Sequence, residues 1–117
     1  SLHCALTEQT RDLIGPAEIA AMNDGVIIVN TARGGIMGED ALADAVESGK
    51  VRGAALDVFE VEPTPPGHRL VGMPNVIVTP HIASQAADTF GTTVGRMFEN
   101  LRLVAAGEEP PVLDVVV

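Results

Sequence analysis

The sequence predicts an α/β domain built on a parallel sheet, and three features point that way. Val26-Ile27-Ile28-Val29 is a continuous β-branched run rather than an alternating one, which suits a strand covered on both faces by helices. Two further strand-like runs follow, Gly53 to Val58 and Asn75 to Thr79, and strand and helix patterns alternate in units of roughly 25 residues, as right-handed βαβ crossovers do. Each run stops abruptly at a polar cluster. In open α/β sheets ligands collect beyond the carboxyl ends of the strands, so these clusters are where chemistry is expected.

The elements follow in order. Ser1 to Leu6 reads as the last part of a strand running into a loop, as in a piece of a longer protein, and Thr7 to Arg11 is polar loop. Gly15-Pro16 opens a short helix to Met22, with Pro in the first turn and Ile14, Ile19, Ala20 and Met22 toward the sheet. Asn23-Asp24-Gly25 punctuates before the first strand. The turn after it holds Asn30, Thr31, Ala32 and Arg33, the positions next to a ligand, and then Gly34-Gly35, where the backbone can turn tightly or approach a ligand closely. Glu39 to Ser48 is a clearer helix: Leu42, Ala45 and Val46 form one apolar stripe, acids fill the first turn, and Gly49 lies past the end. Small residues in Gly53-Ala54-Ala55 let helices approach the second strand. Glu60 to Pro74 carries too many prolines and glycines for a regular element and is expected as a long, functional loop. A long helix from Ala86 to about Ala106 presents Phe90, Val94, Met97, Phe98, Leu101 and Val104 in helical register; Gly107 stops it, and the tail from Pro110 to Val117 docks elsewhere.

Composition narrows the function classes. At 117 residues and 46% hydrophobic, the chain can fill one core. A net charge of −9 with seven scattered basic residues argues against binding a phosphate backbone, and 3% aromatics leave no stacking platform, so nucleic acid is not an expected partner. No apolar stretch approaches the ~20 residues that cross a bilayer. A single cysteine, Cys4, forms no internal disulfide or multi-cysteine metal site and fits a reducing cytoplasm.

Arg33, Asp57 and His81 each fall at the end of a successive strand, so the fold would gather them along one edge. Arg33 could fork two hydrogen bonds to a carboxylate or be a solvated surface residue. Asp57 could bind a ligand or merely cap the following turn. His81 has the ionisation range for acid or base work near neutrality, or is a structural histidine. Glu62, if its loop folded against His81, would orient the ring and favour its protonated form. His68 lies in the loop with a structural or surface role expected.

Together the segments Leu2-His3-Cys4-Ala5-Leu6-Thr7, Val29 to Gly35, Ala54 to Pro63 and Pro74 to Ile82 closely resemble the nicotinamide-binding domain of the D-isomer-specific 2-hydroxyacid dehydrogenases, which include phosphoglycerate dehydrogenase and the glyoxylate and hydroxypyruvate reductases. The resemblance implies that Arg33 grips the substrate carboxylate near the cofactor, that His81 is the catalytic histidine, and that Glu62 is the acid paired with it. It implies further that Asp57 binds the nicotinamide carboxamide, that His3, Thr31 and Ala32 line the cofactor, and that Ala83 and Ser84 form the loop beside the nicotinamide. The implied cofactor is NAD or NADP, the substrate a small 2-oxo or 2-hydroxy acid, the state a homodimer. No Gly-x-Gly-x-x-Gly occurs, nor an acid about 20 residues beyond one, so the chain resembles only the second half of a Rossmann-type dinucleotide-binding domain, residues 1–106, with 107–117 a tail returning toward a substrate domain. Gly38 stands where relatives often carry a helix-capping acid. Glu62, rather than an amide, separates the chain from formate dehydrogenases, and the Pro65–His68 stretch leans toward glyoxylate, hydroxypyruvate or related 2-oxoacid reductases. The competing expectations are a nucleotide-sensing interaction module, like the corepressors that share this domain, and a half-domain without function of its own.

Overall fold

The computed structural model describes residues 1–85 and 87–114, apart from the side chains of 87, 88 and 113. It divides into two compact units, one from Ser1 to Ala83 and one from Ser84 onward. The first is organised on three parallel strands, β1 (Val26–Asn30), β2 (Val51–Leu56) and β3 (Val76–Val78), lying side by side in chain order. Register runs Ile28 to Ala54 and Asn30 to Leu56 across the first pair, and Leu56 to Val78 across the second, so all three strands end at one level. Leu2 adds a parallel bridge to Asn30 and donates its N–H to the Val29 carbonyl at 3.0 Å, extending the sheet beyond β1.

Helix α1 (Pro16–Ala21) starts where Pro at the first turn allows, and Glu18 returns to the Gly15 N–H at 2.9 Å. Helix α2 (Glu39–Glu47) makes the β1-to-β2 crossover and buries Leu42, Ala43 and Ala45. Gly38 caps it with no side-chain bond, and acids in the first turn suit the positive end of the helix dipole. Ile19, Ile28, Leu42, Ala54 and Leu56 share one core, joined by Phe59 and Leu70 from the long loop.

Two expectations are corrected. The β1 run is not covered on both faces within this unit: Ile28 is 5% exposed but Ile27 is 52%, and Ile77 on β3 is 68%. Period-two geometry puts Ile27 and Ile77 on the same side, opposite the face that shares a core with α1 and α2. Ala20 is exposed; only Ile19 of α1 is buried, with Ile14 and Met22 partly so. The β2-to-β3 connection contains no helix, as its prolines and glycines lead one to expect. Residues 57–75 make this parallel crossover as irregular chain, and that places Glu62 in a segment free to fold over the strand ends.

In the second unit, α3 (Ala87–Ala105) is followed by a single 3₁₀ turn, Val112–Asp114. The tail returns onto its own helix: Asp114 accepts from Arg96 Nε at 2.6 Å and from Asn100 Nδ2 at 3.0 Å. The expected helix start at Ala86 and the last residues of the tail, 115–117, lie outside the described residues.

Candidate active site

The β1 tip is a turn stapled from inside. Asn30 is 3% exposed; its carboxamide oxygen accepts the Ala32 N–H at 3.0 Å and its Nδ2 donates to the Arg33 carbonyl at 2.9 Å. Its side chain therefore shapes the turn, as in an Asx turn. Thr31 and Arg33 are left exposed, and His3 lies exposed beside them, one residue past the Leu2 bridge. The Arg33 guanidinium donates to the Ala32 carbonyl at 2.7 Å and forms no ion pair among the described residues, although the chain carries a net charge of −9. Gly34 comes next because nothing larger fits: a Cβ there would overlap the Phe59 carbonyl. The arginine turn and the start of the β2-to-β3 loop are thus in backbone contact.

The β2 and β3 tips are tied to each other through Asp57, which is 3% exposed. Its Oδ1 accepts the Thr79 hydroxyl at 2.5 Å and the Ile82 N–H at 2.8 Å, and Oδ2 accepts the Ala83 N–H at 2.8 Å. Burial works to raise the Asp57 carboxyl, but these donors, with the nearby His81 charge, hold it below its ordinary value. Of the two alternatives open for Asp57, the structure shows the cap of the turn that follows β3, and among the described residues Oδ2 accepts one hydrogen bond. The clamp has a conformational use. His81 sits at φ 55, a left-handed conformation that costs a non-glycine residue of order 1–2 kcal/mol, and bonds to Thr79, Ile82 and Ala83 hold the chain on either side of it.

Over this turn the loop brings Glu62. Its Oε2 lies 2.8 Å from His81 Nδ1, and its Oε1 accepts the Phe59 N–H at 2.9 Å. Both side chains are partly open to solvent, at 46% for His81 and 37% for Glu62. The Glu62 carboxyl is held below its usual range, first by the hydrogen bond to His81 and then by the Phe59 N–H, with burial and the Asp57 charge opposing. His81 Nε2 has no hydrogen-bond partner among the described residues. A cleft of about 430 Å³ opens between His81, Thr79 and Val78 on one side and Glu62, Pro65 and Val71 on the other. An imidazole oriented at Nδ1 by a carboxylate, with Nε2 presented outward, can give or take a proton at that atom.

The structure therefore joins Glu62, His81 and Asp57 in one cluster. Thr31, Ala32, Arg33 and His3 stand at the neighbouring tip, while Ala83 is exposed with its N–H committed to Asp57. Three contributors escaped sequence reasoning: the Thr79 hydroxyl, the Phe59 N–H and Glu39. A Thr ending a strand before Pro-His is the one local signal that was available. His68 is not on the surface; it is turned inward against Glu39, and both side chains are 17% exposed. Among the described residues no group of His, Cys, Asp and Glu could hold a metal ion, and no helix is long and apolar enough to cross a membrane.

Residues 1–83 match the family model described as D-isomer specific 2-hydroxyacid dehydrogenase, NAD binding domain. The chain is 56% identical over 90 residues to a hydroxypyruvate reductase of Thermotoga maritima, covering 75% of this chain and 29% of that protein. It is 43% identical over 111 residues to a glyoxylate reductase of Aeropyrum pernix, covering 95% and 33%. Among solved structures it is similar to a D-isomer specific 2-hydroxyacid dehydrogenase of Xanthobacter autotrophicus in complex with NADPH and MES, with TM-score 0.76 and 45% identity over 96% of this chain and 45% of that one. The chain spans about a third of the length of the curated relatives it matches.

Proposed function

The chain belongs to the D-isomer specific 2-hydroxyacid dehydrogenase family, as part of its Rossmann-type NAD-binding domain, and from that premise we propose that it carries the proton-transfer half of an NAD(P)-dependent reductase of small 2-oxo acids. The observation that supports this most directly is the 2.8 Å contact between Glu62 and His81 at the carboxyl edge of the sheet.

The residues fit a nicotinamide cofactor there. His3, Thr31, Ala32, Arg33, Asp57, His81 and Ala83 all lie beyond the ends of adjacent parallel strands, and Asp57 Oδ2 can still accept from a carboxamide N–H. When bound, the cofactor supplies the hydride that reduces the substrate carbonyl carbon. His81 then serves as the catalytic acid, giving the proton on Nε2 to the carbonyl oxygen. Glu62 holds the ring through Nδ1, so that Nε2 faces the substrate before reaction rather than turning to find it. Arg33, which has no acidic partner among the described residues, takes the substrate carboxylate with a two-pronged grip and draws electron density from the adjacent carbonyl. Alignment matters here because hydride transfer requires reacting atoms held close and in line.

On this reading residues 1–106 are the second half of the dinucleotide domain, 107–117 return toward a substrate domain, and the full-length protein is a cytoplasmic homodimer. Glyoxylate and hydroxypyruvate are the first substrates to try, since reductases of both are among the relatives. The full-length protein is assayed with each, using NADH and NADPH, beside His81→Ala. Turnover by the parent that collapses in a folded His81→Ala variant is expected. A parent that turns over no 2-oxo acid with either cofactor rejects the reading in favour of a nucleotide sensor.

A further inference from the structure

Glu62 is carried by an irregular loop, yet it is aimed at His81, so something must hold that loop. Arg69 ties the far part of the loop to Asp40, Asp44 and Glu47 of α2, and the contacts nearer Glu62 meet at Glu39, the first residue of that helix. Its Oε1 accepts the Glu60 N–H at 2.7 Å, and its Oε2 meets His68 Nε2 at 2.8 Å. One carboxylate thus grips the loop on both sides of Glu62. His68 is fixed in turn: the Phe59 ring meets its ring edge to face at 5.3 Å and 79°, and its Nδ1 accepts the Leu70 N–H at 3.4 Å. With Nδ1 accepting from Leu70, the ring hydrogen on Nε2 is the one that His68 donates to Glu39. Leu70, fully buried, anchors the far end.

We propose that Glu39 and His68 are positioning residues for the reaction: they close the loop from Phe59 to Leu70 around Glu62 and so hold its carboxylate against His81. The inference rests on the reading of His81 as the catalytic acid. The link is continuous, because Phe59, packed on His68, also donates its N–H to the Glu62 carboxylate that reaches His81. The titratable groups facing Glu62 are His81 and Asp57, and those around the clamp are Glu60, Asp40, Asp12 and Arg11, with Arg69 beside His68 paired to Asp40, Asp44 and Glu47. Releasing the clamp removes from Glu62 the two hydrogen bonds that hold its carboxyl low.

The test uses the full-length protein with His68→Ala, His68→Gln, Glu39→Gln and His81→Ala. Two readouts are taken: steady-state reduction of glyoxylate with NADPH across pH, and the NMR titration of the ¹³C-labelled Glu62 carboxyl. In His68→Ala we expect kcat to fall roughly tenfold, a minor part of the ~10²–10⁴ that general acid catalysis supplies, with KM for glyoxylate little changed. The Glu62 titration should move up toward an ordinary glutamate. His68→Gln, whose amide donor reaches the same carboxylate, should restore both. If His68→Ala does not fold, Glu39→Gln decides, because it can still take the Glu60 N–H but offers no acceptor to His68. A Glu62 titration that stays at the parent value in the folded variants overturns the proposal, as does a His68→Gln no better than His68→Ala. Because that titration needs no turnover, it separates this inference from the proposed activity: full turnover in His81→Ala defeats the activity, whereas an unmoved Glu62 defeats only the clamp.

Discussion

The two tips of the sheet are built on opposite plans. At β1 the Asn30 side chain fixes only backbone groups of the turn, and Arg33 leaves it with no partner among the described residues but the Ala32 carbonyl. At β2 and β3 the side chains themselves are fixed, with Asp57 holding the turn around His81 and Glu62 holding its ring. A group that must present one proton along one line gains from being held beforehand. One that must close on an arriving anion gains from reach. The contrast suits a proton donor on one side and a carboxylate grip on the other.

Five substitutions and one titration break or sharpen this contrast, here from the largest expected effect to the smallest. His81→Ala removes the group the second tip exists to hold, and kcat for 2-oxo acid reduction in the full-length protein should fall about 10²–10⁴-fold with unchanged circular dichroism. Gly34→Ala strikes where the tips meet: its methyl collides with the Phe59 carbonyl, which cannot move aside as a flexible side chain could, so a loss of about 3 kcal/mol is expected in urea denaturation. Asp57→Asn replaces an acceptor of three hydrogen bonds with a group that is half donor. At least one of the Ile82 and Ala83 N–H groups loses a charged acceptor, costing about 1–3 kcal/mol, again read from denaturation. Arg33→Lys keeps the charge but loses the fork. KM for glyoxylate should rise about tenfold while the melting temperature stays put, because the guanidinium braces no other side chain among the described residues. A lowered melting temperature in Arg33→Lys would erase the distinction between the tips.

The pH dependence of stability follows from the fixed tip. Asp57 and Glu62 both have carboxyls lowered from their ordinary values of 3.8 and 4.5. Groups depressed on folding contribute stability that is complete above those ordinary values and is lost as pH falls through the folded ones. Denaturation midpoints should therefore hold steady from neutrality to about pH 5 and decline below it. In Glu62→Gln that decline should be shallower; an unchanged slope would mean that Glu62 gains nothing from His81.

Much of this was legible along the chain. Strand ends announce themselves because β-branched runs stop at polar turns, and that alone marked Arg33, Asp57 and His81 as neighbours. The helix over Glu39 to Glu47 declared its buried side through Leu42 and Ala45. What stayed hidden depends on which atoms an irregular loop brings together. Glu39 and His68 lie 29 residues apart with no period linking them, and the sequence offers His68 only as a polar residue among prolines. The uncovered face of β1 was misread for a related reason: Val26 to Val29 has the composition of a doubly buried strand, and composition does not say whether the covering layer belongs to the same unit.

The missing Cβ at Gly34 has a bearing on how this scaffold can be altered. With peptide pressed on peptide, the segment from Asn30 to Gly35 and the crossover after β2 have shapes that only fit as a pair. Anyone transplanting a different specificity loop between residues 57 and 75 should move both segments as a single cassette, since a donor loop bulging by the width of a methyl group at Phe59 would displace the arginine it was meant to serve.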